Sequence, residues 1–302
     1  MRVFITGVTG FIGKKLAEHL VHAGIEVIGL SKHNLKSPLP YEVVVGDVLD
    51  TRIIEPIVNT VDCVVHLAAI TTHNEIVNNR SRADEVNLLG TKNVLDSFNK
   101  SKRAIIFIYA STGKVYGRIQ ELPITEHHPT NPLNILGESK LETEQLIHNN
   151  CTSEKSYIIL RIFNVYGEGQ KENFLIPTII NQFKKRQKKI ILGNVKVQRD
   201  YLYIDDVLSL IIRIINTESI STGLQKYNVC SGKPVSPQQI VGEIEKILGE
   251  KVEIETDKNR FRFDEEEIEY GSYKKTKDRF KWEPQVVLNE GLKKVLLENE
   301  LL

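Results

Sequence analysis

The chain is poor in cysteine and nearly without net charge, and each shortage removes a class of protein. Its 302 residues hold three cysteines. Cys63, Cys151 and Cys230 are odd in number, far apart and without the short spacings of a metal site. That excludes a disulfide framework and a zinc module, so no metal is expected and the thiols should stay reduced in a cytoplasmic setting. Lys and Arg number 40 against 39 Asp and Glu, which leaves no global field to draw the chain to nucleic acid or an anionic membrane. The one basic run, Lys184, Lys185, Arg186, Lys188 and Lys189, closes a helical pattern, where cations complement the helix dipole. It lacks the interleaved aromatics of a nucleic-acid surface. No stretch reaches the roughly 18 apolar residues needed to span a bilayer, and no apolar run follows a basic leader before Gly7, so neither a membrane span nor a cleaved secretory signal is expected. Internal repeats and low-complexity linkers are also missing.

What is present is a rhythm of short β-branched runs alternating with amphipathic helical patterns. The pattern predicts Val3 to Thr6 as strand, Phe11 to Ala23 as helix, and Glu26 to Leu30 and Glu42 to Val45 as strands. It then predicts Cys63 to Leu67 as strand, Arg82 to Phe98 as helix, Ile105 to Tyr109 as strand, Pro132 to about His148 as helix and Tyr157 to Phe163 as strand. These strands read as continuous apolar runs rather than alternating ones, which predicts a parallel sheet buried on both faces. The fold class expected is therefore α/β, a Rossmann-type doubly wound parallel sheet, with a smaller C-terminal α/β lobe. Residues 1–166 are assigned to the dinucleotide-binding domain, with a segment of about 194–226 returning to it, and 167–302 mainly to a substrate lobe. That lobe is expected to hold helices at Phe174 to Lys185, Ile204 to Ile215 and Pro237 to Leu248, strands at Lys189 to Leu192 and Tyr227 to Cys230, and two late helices.

The sharpest motif is Thr6-Gly7-Val8-Thr9-Gly10-Phe11-Ile12-Gly13, with glycines three apart between a predicted strand and a predicted helix. The first glycine permits a sharp turn, the second lets backbone approach a pyrophosphate, and the third lets the helix pack closely, with phosphate facing its N-terminus. An acidic residue at the end of the second strand would bind a ribose 2′-hydroxyl and repel a 2′-phosphate. Ser31 stands there instead, followed by Lys32 and His33, which favours NADP over NAD.

These residues, with further ones, resemble the extended short-chain dehydrogenase/reductases, the family of nucleotide-sugar epimerases, dehydratases and reductases. The glycine stretch is similar to T-G-x-x-G-x-x-G, and the resemblance places Gly7, Thr9, Gly10, Phe11, Ile12 and Gly13 against the cofactor. Asp47 and Val48 resemble a G-D-[ILV] whose aspartate meets the adenine. His66-Leu67-Ala68-Ala69 resembles an H-x-A-A beside the cofactor, with His66 structural. Asn87 matches an N-x-x-G-T helix that organises the site from behind. Toward the C-terminus, Asn164 in R-x-x-N-V-Y-G and Arg199 in R-D-[FY] resemble groups that hold a substrate diphosphate, and Arg262, 20 residues before Trp282, resembles a further phosphate or ribose ligand, with Arg260 competing for that role. Guanidinium groups suit the task because their planar donors pair bidentately with phosphate. A nucleotide sugar is the implied substrate and a homodimer the implied assembly.

The chemistry has a gap. Pro132 to Glu144 resembles P-x-x-x-Y-G-x-S-K-x-x-x-E, and Thr112 falls where the family places its catalytic hydroxyl. Lys140, which resembles the lysine on the nicotinamide ribose, is present, but Leu136 stands at the tyrosine's position. An isobutyl group moves no proton. Tyr116, His127, His128 or a water held by Thr112 are the candidates to replace it. A 4-epimerase needs its base in both halves of the reaction, whereas a reductase needs one proton, so a redox step at C4 of a nucleotide-linked sugar is expected, with ketoreductase ahead of epimerase. A catalytically silent sensor or scaffold is the reading from another class.

Overall fold

The computed structural model describes residues 1–34, 39–261 and 266–302. In chain order it runs β1 (Arg2–Thr6), α1 (Phe11–His22), β2 (Glu26–Ser31), β3 (Glu42–Val45), α2 (Thr51–Val58), β4 (Cys63–His66), α3 (His73–Asn78), α4 (Arg80–Asp84), α5 (Gly90–Lys100), β5 (Ile106–Thr112), α6 (Ile135–Asn150) and β6 (Ser156–Ile162). It continues through β7 (Asn164–Tyr166), α7 (Leu175–Lys184), β8 (Lys189–Leu192), β9 (Gln198–Tyr203), α8 (Ile204–Ile215), β10 (Gly223–Val229), β11 (Pro234–Val235), α9 (Pro237–Leu248), β12 (Glu253–Thr256), β13 (Ile268–Glu269), α10 (Lys274–Phe280) and α11 (Leu288–Glu298).

A seven-stranded sheet is ordered β10-β6-β5-β4-β1-β2-β3, and every pairing from β6 across to β3 is parallel. All four residues of β4 and all seven of β6 are buried, which is why these strands read as unbroken apolar runs. The chain winds from β1 outward to β3, then returns to β4 on the other side of β1. The carboxyl ends of β1 and β4 therefore flank the point where the winding reverses, the place where such sheets take ligands.

Two compact units result: Met1–Gly117 with Pro129–Ile162 and Leu210–Tyr227, and Arg118–His128 with Phe163–Ser209 and Asn228–Leu302. The division differs from one drawn at residue 166. Residues 164–166 form β7, which pairs with β9 of the second unit. Residues 118–128 belong there too, because the Ile124 amide donates to Tyr270 O and Glu126 accepts from the Asn228 amide. The return to the first unit begins at Leu210. Within the second unit, β9 is flanked by β11 and β13 and also pairs with β7, while β12 pairs with β8.

Local chemistry sets the ends of α6. The Asn134 side chain accepts from the Gly137 amide at 2.9 Å, so the helix starts at Ile135 rather than at Pro132. The single helix expected over Arg82 to Phe98 is broken into α4 and α5 by one π turn at Glu85–Leu89. Such a widened turn re-aims side chains and is frequent at functional sites. Here it carries Asn87, which is buried.

Candidate active site

The turn between β1 and α1 has the shape of a pyrophosphate cradle. Gly7 sits at φ 69°, where an L side chain is strained, and a Cβ there would lie 2.8 Å from the Ala68 amide nitrogen. A Cβ on Gly13 would lie 2.2 Å from Gly7 O. Gly10 caps α1 in extended conformation with no side-chain cap, and the first turn of α1 holds no acidic residue. The turn therefore presents backbone amides and the positive end of a helix dipole with no carboxylate to compete, as an anionic diphosphate requires. Leu67, Ala68 and Ala69 follow β4 beside Gly7 and are half-buried. Phe11 and Ile12 are half-buried and Thr9 is exposed.

His66 is committed within the sheet. Its Nδ1 lies 2.6 Å from Thr6 Oγ1 and its Nε2 lies 2.9 Å from Thr91 Oγ1. Thr91 donates its own proton to Asn87 O, so it accepts from Nε2–H. Thr6 accepts from the Ala68 amide and donates to Nδ1. Both ring nitrogens of a neutral imidazole are thus used. Burial, helped by the charge of Lys140, pulls its pKa down from 6.5 to about 3. The native state then refuses a proton that the unfolded chain accepts, so this stability is intact above the ordinary value and is lost as pH falls toward 3. Between about pH 7 and pH 5 the loss is about 2 kcal/mol. Urea unfolding at the two pH values should give a change about 2 kcal/mol less favourable in the native chain than in His66→Asn, with the raised Asp200 working the other way in both; equal changes would remove His66 as the cause.

Three cationic or polar groups gather at the end of β2. Asp47 accepts from the Leu49 amide at 3.1 Å and from Arg82 Nη2 at 2.9 Å, with Lys32 Nζ at 3.6 Å. Burial pushes its carboxyl up, but the Leu49 amide, Arg82 and Lys32 outweigh it and hold it below the usual range. The buried Ser31 hydroxyl donates to His33 O at 2.7 Å and shapes the bend. Val48 is in the core and packs against Gly90. Arg82 was not legible in the sequence as part of this cluster, because α4 and the end of β2 are brought together only by the fold.

At the ends of β5 and α6 the groups expected to do chemistry are brought together with others that the motifs did not single out. Thr112 Oγ1 accepts from the Lys114 amide at 3.2 Å, leaving its own O–H to donate. Lys140 is buried, gives one N–H to Ala110 O at 2.7 Å and sits 4.7 Å over the ring of Tyr109. Leu136 is half-buried on the first turn of α6. Asn87 straps the segment after β4 to α6: its Oδ1 accepts from the Ile70 amide at 2.8 Å, and its Nδ2 donates to Ile70 O and to Ser139 Oγ at 3.0 and 3.1 Å.

Glu144, one turn on from Lys140, makes its ion pairs elsewhere. It is fully buried, takes two donors of Arg161 at 3.0 and 2.7 Å, accepts from Ser111 Oγ at 2.6 Å and has Lys226 Nζ at 3.3 Å. Burial alone would raise its carboxyl, yet the hydrogen bonds and charge of Arg161, with Ser111 and Lys226, hold it below the usual range. Tyr116 is buried with its ring 4.7 Å from the Arg161 guanidinium, which also hydrogen-bonds it. The phenol oxygen is the acceptor in that bond, since a guanidinium only donates. In the second unit His128 is buried, with its Nε2 accepting from the Gln120 amide at 2.9 Å, while His127 is exposed.

The second unit also places Asn164 and Arg199. Asn164 Nδ2 donates to Asp200 O at 2.9 Å. Arg199 is buried, donates to the carbonyls of Gln198 and Glu266 at 2.8 Å each, and has Glu269 at 3.6 Å. Asp200 ties the strand ends together by accepting from Ser231, Gly232 and Gly271; burial raises its pKa to about 6 against those bonds. Arg262 lies outside the described residues, and Arg260 donates to Ile191 O at 3.0 Å. Among the described residues no group of three or more His, Cys, Asp or Glu could hold a metal ion, and no helix is long and apolar enough to cross a membrane.

Similar proteins are known along nearly the whole chain. The family model for GDP-mannose 4,6 dehydratase matches residues 4–295. The chain is 31% identical to the GDP-6-deoxy-D-mannose reductase of Pseudomonas aeruginosa over 99% of its own length and 97% of that protein's. It is 32% identical to a putative UDP-glucose 4-epimerase of Methanocaldococcus jannaschii over 97% of each. Among solved structures, RMD from P. aeruginosa complexed with NADPH superposes with a TM-score of 0.83 at 29% identity, over 98% of each chain. The chain therefore belongs to the GDP-mannose 4,6 dehydratase family and is an NAD(P)-dependent enzyme of the nucleotide-sugar epimerases, dehydratases and reductases.

Proposed function

We propose that the chain reduces the C4 carbonyl of a nucleotide-linked 4-ketosugar with NADPH, taking a GDP-linked 4-keto-6-deoxyhexose as its substrate class. The observation that carries this reading is the end of β2, where Ser31 replaces an acidic residue while Lys32 and Arg82 converge on Asp47. Two cations, paired with Asp47 but with no acidic residue at the end of the second strand itself, suit a 2′-phosphate, and a phosphorylated dinucleotide suits a cofactor that exchanges at each turnover. The relatives named GDP-6-deoxy-D-mannose reductase and GDP-6-deoxy-D-talose 4-dehydrogenase, each 31% identical, support the GDP-linked class. Gly7, Gly10 and Gly13 would hold the diphosphate of the cofactor and Asp47 its adenine end, with Lys140 at the nicotinamide ribose. When bound, NADPH supplies a hydride to the sugar carbonyl. Thr112 orients the carbonyl oxygen through its unused O–H. Asn164 and Arg199 are assigned to the substrate diphosphate; Arg199 would then exchange Glu269 for phosphate.

A 4-epimerase is the second reading, supported by the relative of M. jannaschii. Leu136 weakens it, because an epimerase removes and returns a proton at the same oxygen and depends on a base in both directions. Incubating the purified chain with NADPH and a GDP-linked 4-keto-6-deoxyhexose should consume one NADPH per sugar reduced. Conversion of a UDP-hexose without net loss of cofactor would overturn the reductase in favour of the epimerase. Cofactor binding with neither reaction would favour a silent sensor. In the same preparation, Lys32→Ala with Arg82→Ala should weaken NADPH by about tenfold or more and NADH much less, since a charge-assisted contact is worth about 1.4 kcal/mol or more. Equal weakening of both cofactors would detach these residues from the 2′-phosphate.

A further inference from the structure

We infer that Lys140 is itself the proton donor of the reduction, taking over the step that Leu136 cannot perform; the inference rests on the reductase reading above. Leu136 and Lys140 are four residues apart on α6 and so lie on one face, a turn from each other. Side chains of a helix lean toward its N-terminus, which carries the lysine stem back over the turn occupied by Leu136. Its ammonium is anchored on Ala110 O at 2.7 Å, two residues before Thr112 on β5. That single bond uses one of its three N–H groups. Among the described residues no other acceptor and no ion pair takes the remaining two.

The surroundings keep this amine able to lose its proton. Glu144, the carboxylate nearest in sequence on its inward face, is saturated by Arg161, Ser111 and Lys226 and forms no ion pair with Lys140. Glu138 on α6 is exposed and faces Arg80 at 3.7 Å. Tyr109 from β5 offers a ring face and has its hydroxyl on Thr143. His66 from β4 is neutral. Burial brings the ammonium down from 10.5 to about 8, with Glu144's charge working the other way. A group titrating there is protonated at neutral pH and parts with its proton far more readily than an ordinary lysine.

The step balances with what the reaction already contains. The sugar's C4 carbonyl carbon accepts the hydride with its electron pair, and the C=O π bond breaks onto oxygen. That oxygen forms an O–H bond as one N–H bond of the Lys140 ammonium breaks. Lys140 is left as a neutral amine and recovers a proton from water after the alcohol leaves, with the nicotinamide oxidised. Thr112 remains a positioning residue for the same oxygen.

Lys140→Arg separates charge from proton donation, because a guanidinium stays protonated in proteins. With the variant's fold confirmed by circular dichroism, NADPH affinity should fall far less than turnover does. Turnover of the ketosugar should fall by about 10² or more, and the decline of native kcat/KM above about pH 8 should disappear from what activity remains. Independently of turnover, a nitrogen NMR titration of the native apoprotein should place the Lys140 amine near 8. Native turnover in Lys140→Arg, or an amine that titrates above 10 beside a rate unchanged through pH 9, would overturn the assignment. If the native chain reduces no nucleotide-linked ketosugar, the reductase reading itself falls; a working reductase indifferent to Lys140→Arg removes the donor alone.

Discussion

Glu144→Ala should cost about 3–5 kcal/mol of stability, the largest loss expected from a single side chain in the first unit. The carboxylate is wholly inaccessible and is the shared acceptor of Arg161, Ser111 and Lys226. Removing it leaves a buried guanidinium with only the Tyr116 ring and hydroxyl to face. Breaking one partner of a buried pair is far more damaging than removing both, since the penalty is that of an uncompensated charge. Glu144→Leu combined with Arg161→Met should therefore recover most of what Glu144→Ala loses. Urea unfolding of the single and double variants checks this, and a single-variant loss under about 1 kcal/mol would show that the cluster is solvated rather than dry. The same cluster joins α6 to β5, β6 and β10 at the level of Lys140, so the loss should also appear as weaker cofactor binding in whatever fraction stays folded.

How much of this was legible beforehand depended on whether the cause was local. The glycine turn could be read because the sharp turn at Gly7 and the packing of Gly13 against Gly7 lie within one βα unit. The strands could be read because burial on both faces removes the polar alternation that would blur them. The π turn at Glu85–Leu89 left no mark, since its residues are ordinary helix formers and the widening serves to point Asn87 at Ile70 and Ser139. The partner of Glu144 left no mark for a related reason: four-residue spacing along one helix points to Lys140, whereas the fold supplies Arg161 from β6, seventeen residues on. Arg82 joined the Asp47 cluster across thirty-five residues, a distance that no periodicity reports. The chain passes to the second unit at Phe163 rather than after residue 166, because pairing of β7 with β9 is a tertiary choice between two sheets, and Asn164-Val165-Tyr166 would suit either.

Gly13→Ala should abolish useful cofactor binding, and comparison with Gly24 isolates the reason. Both glycines belong to α1, one in its first turn and one just past its end. At Gly13 an added Cβ would lie 2.2 Å from Gly7 O, 3.0 Å from Gly7 C and 3.0 Å from Val8 Cα. All three are backbone atoms, so no side chain can step aside, and α1 must shift away from the turn. A shift of that kind costs about 1–3 kcal/mol as overpacking, and it also moves the amides at the helix N-terminus off the diphosphate they are aimed at. NADPH affinity should drop by about 100-fold or more, some 2.7 kcal/mol. At Gly24 the backbone is left-handed, with φ 75°, but the space beside it is open. Gly24→Ala should therefore cost only the left-handed strain of about 1–2 kcal/mol and leave NADPH binding unchanged. Thermal melts and fluorescence titration with NADPH distinguish the two. If Gly13→Ala bound NADPH as the native chain does, the turn after β1 would not be where the diphosphate sits, and the cradle would have to be sought elsewhere along the carboxyl ends of the sheet.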